Sequence, residues 1–302
     1  MDRLLLTFVT VAEKRSFTRA AEELHLTQSA VSREIEALEA EYETKLFDRT
    51  NKSVRLTRAG EILYYHGKNI VSEYYTAYRI ISDLTGTAVG NLAIGSGYTF
   101  GEYLLPHAVA KFKSLYPLIT PKITIMNSKR IGIQVLQHEV DLGIVDGKIE
   151  LKGVTTQPFA QDEMMIVAPR GHWLSRLDEV NIRDLVDETW ILRESGSGTR
   201  SVIDRVFRDL GFSPISVMEF GSNQIIKESV QAGLGISIIS KWVFQKEVNF
   251  NLLHALRIKD YTISRDFFCV THTSKFRTKA LELFLDFLQL WARELDLNEK
   301  GM

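Results

Sequence analysis

From Arg58 to Leu84 the chain carries one unbroken helical pattern, in which Leu63, Ile70, Ala77 and Leu84 stand seven residues apart. Thr57 occupies the capping position, and Thr85-Gly86-Thr87 ends the run. At roughly 1.5 Å per residue such a helix is about 40 Å long. Tyr64, Tyr65, Tyr74, Tyr75 and Tyr78 give it more apolar surface than a lone solvated helix should show. Another domain, or a second copy of the same helix, must cover it. The segment therefore divides the 302 residues into a short N-terminal part and a longer C-terminal one, in keeping with about two domains at roughly 150 residues each.

Residues 1 to 57 read as short helices, because apolar residues recur at three- and four-residue spacing. Asp2 caps the first, with Leu5, Phe8, Val9 and Ala12 as its buried stripe. Ser16-Phe17-Thr18 opens a second through Ala20, Ala21 and Leu24, and Thr27 caps a third carrying Val31, Ile35 and Leu38. His25-Leu26 leaves room only for a tight turn, so helices two and three form a helix-turn-helix candidate. On the third helix the apolar stripe turns Gln28, Ser29, Ser32 and Arg33 to other faces. Gln and Arg can bond base edges bidentately in a major groove, while Ser and Thr reach phosphates.

The global charge is no guide to such a partner, since 37 Lys+Arg face 38 Asp+Glu for a net of −1. Locally the balance is different. Residues 44 to 58 hold Lys45, Arg49, Lys52, Arg55 and Arg58 against Asp48 alone, a net +4. Turn residues sit between two short extended pieces there, as in a small β wing, and such a patch can neutralise phosphates.

After Gly90 short β-rich runs alternate with helical segments, which predicts an α/β fold with a largely parallel sheet. Strands are expected at 91–95, 123–126, 142–145, 163–168, 190–192, 216–220 and 267–271. Helices are expected at 103–116, 131–138, 200–210, 223–232 and 279–295. A break near Phe159 to Asp162 separates two such clusters, implying paired lobes with a cleft between them.

In order along the chain stand Phe8-x-x-Val11, Ser16-Phe17-Thr18-x-Ala20-Ala21-x-x-Leu24, Thr27-Gln28-Ser29-Ala30-Val31-Ser32-Arg33-x-Ile35-x-x-Leu38-Glu39, Leu46-Phe47-x-Arg49 and Leu56-Thr57-x-Ala59-Gly60. This set resembles the winged helix-turn-helix of the LysR-type transcriptional regulators. One departure is Tyr42-Glu43, where the family pattern has an apolar residue and then Gly. If that Gly makes a turn of positive φ, either Glu43 carries the strain or the turn differs. Asp141-Leu142-Gly143-Ile144-Val145 and Ala232-Gly233-Leu234-Gly235-Ile236-Ser237 are similar to the family's effector-domain signatures. Glu194 to Arg200 looks like the branch that includes regulators of sulfur assimilation and carbon fixation.

The resemblance implies three parts: a winged helix-turn-helix over residues 1–57, a long linker (dimerisation) helix over 58–87, and an effector domain over 88–302. The last would be a two-lobed α/β fold like periplasmic binding proteins, with lobe I about 88–161 plus 267–302 and lobe II about 162–266. Thr27, Gln28, Ser29, Ser32, Arg33, Arg49, Lys52 and Arg55 would contact double-stranded DNA at a partial palindrome. A homodimer or homotetramer is implied, and RNA polymerase stays open as a further partner.

The residues give the cleft an independent reading. Ser96, Tyr98 and Thr99, Asn127 and Ser128, Ser197 and Thr199, and Asn223 all fall where a strand hands over to a helix. Free N–H groups and hydroxyls at such ends favour an anion, so a small anionic metabolite is the expected effector and no cofactor is expected. The same residue types also make ordinary turns and caps.

Catalytic patterns are poorly served. Gly95-x-Gly97 has Phe100 where a dinucleotide fingerprint wants its third Gly, and Ser195-Gly196-Ser197-Gly198 lacks the ending of a phosphate loop. Seven histidines, among them His107, His138, His172 and His254, form no H-E-x-x-H pair. The single Cys269 makes no internal disulfide, which suits a reducing compartment. Leu4 to Ala12 lacks the flanks of an export signal, and no apolar run approaches the roughly 20 residues of a membrane span. The expectation is a cytoplasmic, DNA-binding, effector-responsive regulator and not an enzyme. The alternative is a cytoplasmic small-molecule binding protein or enzyme whose N-terminal helices mediate association.

Overall fold

Asp2 accepts the Leu4 N–H at 2.9 Å and starts α1 (Arg3–Lys14). Ser16 caps α2 (Phe17–Leu24) through the Arg19 N–H, and Thr27 caps α3 (Gln28–Glu41) through the Ala30 N–H. Between the last two, His25 sits at φ 54, which closes the turn in two residues. The computed structural model describes residues 2–50, 53–83, 90–273 and 276–299, and the chain divides into two compact units, Met1–Gly86 and Thr87–Met302.

In the first unit an antiparallel hairpin, β1 (Phe47–Thr50) and β2 (Ser53–Leu56), comes after α3, and α4 (Arg58–Asp83) comes after the hairpin. Phe8, Val11, Ala20, Val31, Ile35, Leu38 and Leu46 form the core, and the Phe47 ring meets Phe8 and Phe17 at 5.2 and 5.8 Å. The expected wing is present, although Lys52 lies outside the described residues. Gly60 is required where α4 crosses the start of β1: an added Cβ would stand 2.1 Å from the Leu46 carbonyl oxygen. Along α4, Val71 is buried while Tyr65, Ile70, Tyr74, Tyr75, Tyr78 and Ile81 stand exposed. The expected end of this helix, at 84–87, lies outside the described residues.

The second unit begins with β3 (Gly90–Ser96), α5 (Tyr98–Tyr103), α6 (Leu105–Leu115), β4 (Ile119–Ile125), α7 (Ser128–Leu136) and β5 (Leu142–Val145). A 16-residue strand, β6 (Val154–Pro169), leads to β7 (Glu179–Val180), β8 (Thr189–Arg193), α8 (Gly198–Asp209), β9 (Ser216–Phe220) and α9 (Asn223–Gln231). Then come β10 (Ser237–Ser240), α10 (Lys241–Asn249), β11 (Leu253–Ile258), β12 (Ile263–His272) and α11 (Lys279–Glu299). The main sheet has the order β4-β3-β5-β12-β6-β11-β7, with β10 also on β6, and β8 pairs β9 separately.

Only part of this sheet is parallel. β3 pairs β4 and β5 in parallel, but β12 is antiparallel to both β5 and β6, and β10 and β11 are antiparallel to β6. The expected largely parallel sheet is thus a mixed one. The reason is the long pair β6 and β12, in register from Ile263 opposite Met164 to His272 opposite Val154, with a bulge at Phe267/Phe268. Residues 154–162 are mostly polar and partly exposed, so the periodicity marks only 163–168 as strand.

Two other expectations shift for local reasons. The expected helix 103–116 is α6, Leu105–Leu115, and a separate short helix, α5, precedes it; Pro106, with no N–H for a bond one turn back, stands at the start of α6. The expected strand 123–126 starts at Ile119, since Pro121 is tolerated on the edge strand β4.

Two cores lie on either side of the long pair. One joins Leu92, Ile94, Phe100, Phe112, Leu142 and Ile144 to Phe267, Phe284 and Trp291. The other joins Met164, Ile166, Leu192, Ile203 and Val206 to Ile238, Leu256 and Ile263, around the buried indole of Trp190. Each lobe is closed by its own core, and β6 and β12 pass from one to the other.

Candidate functional sites

In the first unit, the start of α3 presents one polar face. Gln28 Nε2 donates to the Ser32 hydroxyl at 3.0 Å, and Arg33 Nε reaches the Ser29 carbonyl at 3.4 Å. Thr27 is held by its capping bond and lies 3.1 Å from the Ser29 hydroxyl. Gln28, Ser29 and Arg33 are exposed and Ser32 is half-buried. The wing brings an exposed Arg55 opposite Asp48, and the Arg49 backbone pairs with Val54 on the same hairpin.

Behind this face Glu39 fixes the wing. Its buried carboxylate accepts the N–H groups of Leu46 and Phe47 at 2.9 and 3.3 Å and meets Lys45 Nζ at 2.7 Å. Burial pushes its carboxyl up, but Lys45 and the two N–H groups outweigh that and hold it below the ordinary range. The chain reverses into the hairpin at Glu43, which takes φ 50. Glu43 thus adopts the left-handed conformation for which the family pattern supplies Gly.

In the second unit, the expected residues meet in a buried network that also holds charges outside the expected set. Arg265 on β12 donates Nη1 to the Thr199 hydroxyl at 3.0 Å, Nη2 to the Thr99 hydroxyl at 2.9 Å and Nε to Asp162 at 2.8 Å. Asp146 lies 3.4 Å from the same guanidinium, and Ser240 donates to Asp162 at 2.7 Å. Burial opposes the charge of Arg265, but Asp146 and Asp162 more than offset it. Burial likewise pushes the Asp162 carboxyl up, against the pull of Arg265 and the Ser240 hydrogen bond.

Asn223 extends the network. Its amide donates to Thr99 at 2.9 Å and its oxygen accepts from Arg193 Nη1 at 3.1 Å. The Tyr98 ring covers the Arg193 guanidinium, 4.5 Å from its centroid. Asn127 caps α7 through the Arg130 N–H, and its Nδ2 approaches Glu194 at 3.4 Å. Ser128 and Ser197 open α7 and α8, and the hydroxyl of each is buried with no hydrogen-bond partner. The two helix starts are tied together, Lys129 N–H donating to the Gly196 carbonyl at 3.3 Å.

Of the eight expected cleft residues, Ser96 stands apart. It is fully buried and its hydroxyl turns to the Gly97 carbonyl at 3.2 Å. Tyr98, Thr99, Asn127, Thr199 and Asn223 join the network or its edge, and Ser128 and Ser197 sit at the paired helix starts. Arg193, Arg265, Asp146 and Asp162 are the additions. Arg193 directly succeeds the apolar strand residues Trp190–Leu192 and Asp146 the strand Leu142–Val145, and a charge there is a signal that sequence alone can give.

An exposed polar helix start beside a wing, and a two-lobed α/β unit with a polar network between its cores, define a DNA-binding, ligand-responsive regulator. Residues 3–61 match the bacterial regulatory helix-turn-helix protein, lysR family, and residues 85–293 match the LysR substrate binding domain. The chain belongs to the LysR family of transcriptional regulators.

It is 35% identical to the HTH-type transcriptional regulator CysL of Bacillus subtilis over 95% of this chain and 96% of that one. It is 33% identical to a probable RuBisCO transcriptional regulator of Synechocystis, over 91% of this chain and 81% of that one. The Synechocystis CcmR regulatory domain, solved in complex with 2-PG, is similar with a TM-score of 0.62 and 29% identity, covering 67% of this chain and 97% of that chain. Among the described residues, no helix is long and apolar enough to cross a membrane and no group of acidic, His and Cys side chains could hold a metal.

Proposed function

We propose that this regulator senses a small anion bound between the starts of α7 and α8, and that it acts by binding rather than by catalysis. The observation that carries the reading is the pair of buried, unpartnered hydroxyls, Ser128 and Ser197, one at each of two helix N-termini tied together at Gly196. A buried hydroxyl without a partner costs about 1–3 kcal/mol, which an oxyanion accepting from it would offset. The N-terminal ends of two helices add to the attraction for negative charge. Asn127, Tyr98 and Arg193 supply the surrounding donors and an aromatic wall, and Thr99, Thr199 and Asn223 hold the network behind them. The complex of the CcmR regulatory domain with 2-PG supports a small ligand in this domain.

On the DNA side, Gln28, Ser29, Ser32 and Arg33 enter the major groove, and Thr27, Arg49, Lys52 and Arg55 hold phosphates. The exposed tyrosines and isoleucines of α4 pair with those of a second copy, giving a dimer or a tetramer with two heads at a partial palindrome. The parts are a DNA-binding segment over 1–57, a linker over 58–87 and an effector segment from 88, whose lobes divide near 162 and 266. The working compartment is the cytoplasm, where Cys269 stays a thiol: burial pushes it up to about 12.

Calorimetric titration of the full chain with phosphoglycolate, which carries a carboxylate and a phosphoryl group, tests the effector class. Saturable binding that weakens with Ser128→Ala and Ser197→Ala is expected, and binding indifferent to both substitutions overturns the site. A DNA-affinity series in salt separates a regulator from a purely small-molecule binding protein, since affinity for DNA should fall steeply as salt rises.

A further inference from the structure

The carboxylate of Glu194 already occupies the position an anionic ligand would take on Arg193. Arg193 Nε lies 2.8 Å from Oε2 and Nη2 lies 3.0 Å from Oε1, the two-pronged geometry with which a guanidinium grips a free carboxylate or phosphoryl group. The rest of the guanidinium is committed, Nη1 to Asn223 and one face to Tyr98. From the other lobe Asn127 Nδ2 reaches the same carboxylate oxygen at 3.4 Å. Glu194 is therefore bonded as an interlobe anion would be, by a cation on one side and an amide on the other.

The two partners differ in freedom. The Arg193 side chain is 1% exposed and that of Glu194 26%, so the guanidinium is fixed while the carboxylate has water on one side to move into. The adjoining loop includes the exposed Ser195 and Gly196 at φ 89. Water can solvate a displaced carboxylate, whereas a bare Arg193 would be a buried charge with no carboxylate bonded to it, Glu102 acting on it only through space. Displacement by another oxyanion avoids that penalty.

We propose that Glu194 is a tethered anion that holds Arg193 in the ligand-free protein and is displaced by the carboxylate or phosphoryl group of the effector. The inference rests on the anion-binding reading of the cleft and adds how that site is kept closed to weak ligands. A ligand must outcompete a covalently tethered carboxylate, which lowers the apparent affinity of every oxyanion by the fraction of time Arg193 is covered. Only a ligand with further contacts, at Ser128, Ser197 or the helix ends, gains enough to bind.

The test titrates three full-length proteins, wild type, Glu194→Gln and Glu194→Ala, with phosphoglycolate, glycolate and inorganic phosphate, by calorimetry at fixed ionic strength. The melting midpoint of each variant checks its fold, and two different side chains guard against a defect peculiar to one. Both variants are expected to bind phosphoglycolate about tenfold more tightly than wild type and to bind a simple oxyanion that wild type excludes. Tightening toward glycolate identifies a carboxylate as the displacing group, and tightening toward phosphate identifies a phosphoryl. Wild-type binding that both variants match or weaken overturns the role of Glu194 and leaves the anion site standing. Binding of no probe by any of the three proteins overturns both.

Discussion

Arg265 and Asp162 face each other at 2.8 Å on the two strands that join the lobes, and both are almost wholly out of water. A buried pair is weak evidence of net stabilisation, but removing one partner leaves an uncompensated charge. Asp162→Asn should therefore cost about 3–5 kcal/mol in denaturant unfolding. A loss below about 1 kcal/mol would show that Asp146 alone neutralises Arg265.

Glu39→Gln should loosen the wing, because a neutral amide cannot offer both oxygens to the Leu46 and Phe47 N–H groups and Lys45. Each charge-assisted bond is worth about 1.5–3 kcal/mol at most. The carboxylate's folded value lies below its ordinary 4.5, so its contribution is present above that pH and is lost as pH falls through the lowered value. In acid titrations of stability, wild type should lose more than the variant below pH about 4.5. Equal acid sensitivity would exclude Glu39 as the titrating group.

Arg33→Ala should weaken binding to the specific operator by about 1–3 kcal/mol while leaving the oligomer intact by light scattering. A gel shift at unchanged affinity would remove Arg33 from the recognition surface.

Gly60→Ala should destabilise the first unit, because the new methyl has to displace the Leu46 carbonyl rather than a flexible side chain. Thermal unfolding should fall by several degrees, the shift of about 1–3 kcal/mol in a small domain.

Thr199→Ala removes an acceptor from Arg265 at the second residue of α8 and should weaken the effector response without abolishing DNA binding. Unchanged calorimetric affinity for the effector would place the pocket elsewhere.

The range of each interaction decides how legible it is in the sequence. The caps Asp2, Ser16 and Thr27 act within three residues, and their helices begin where the residues alone put them. Tyr42-Glu43 is legible too, as a departure from a pattern, and Glu43 does take a positive φ. The pairs at the centre of the buried network, Arg265 with Asp162, Thr99 and Thr199, join residues 66 to 166 positions apart, and no local spacing encodes them. Strand β6 is half-hidden for the same reason: its polar first half is a strand only because β12 pairs with it.

The path of β6 and β12 also dictates an order of folding. The core around Trp190 closes with residues that run from Met164 to Ile263, an uninterrupted stretch of chain, whereas the core around Phe100 needs Phe267, Phe284 and Trp291 from the far end. During synthesis the inserted lobe has all its parts before the lobe that surrounds it does. The first lobe must wait for the last helix to emerge, so a chain truncated before α11 keeps one finished lobe and exposes the apolar face of the other to aggregation.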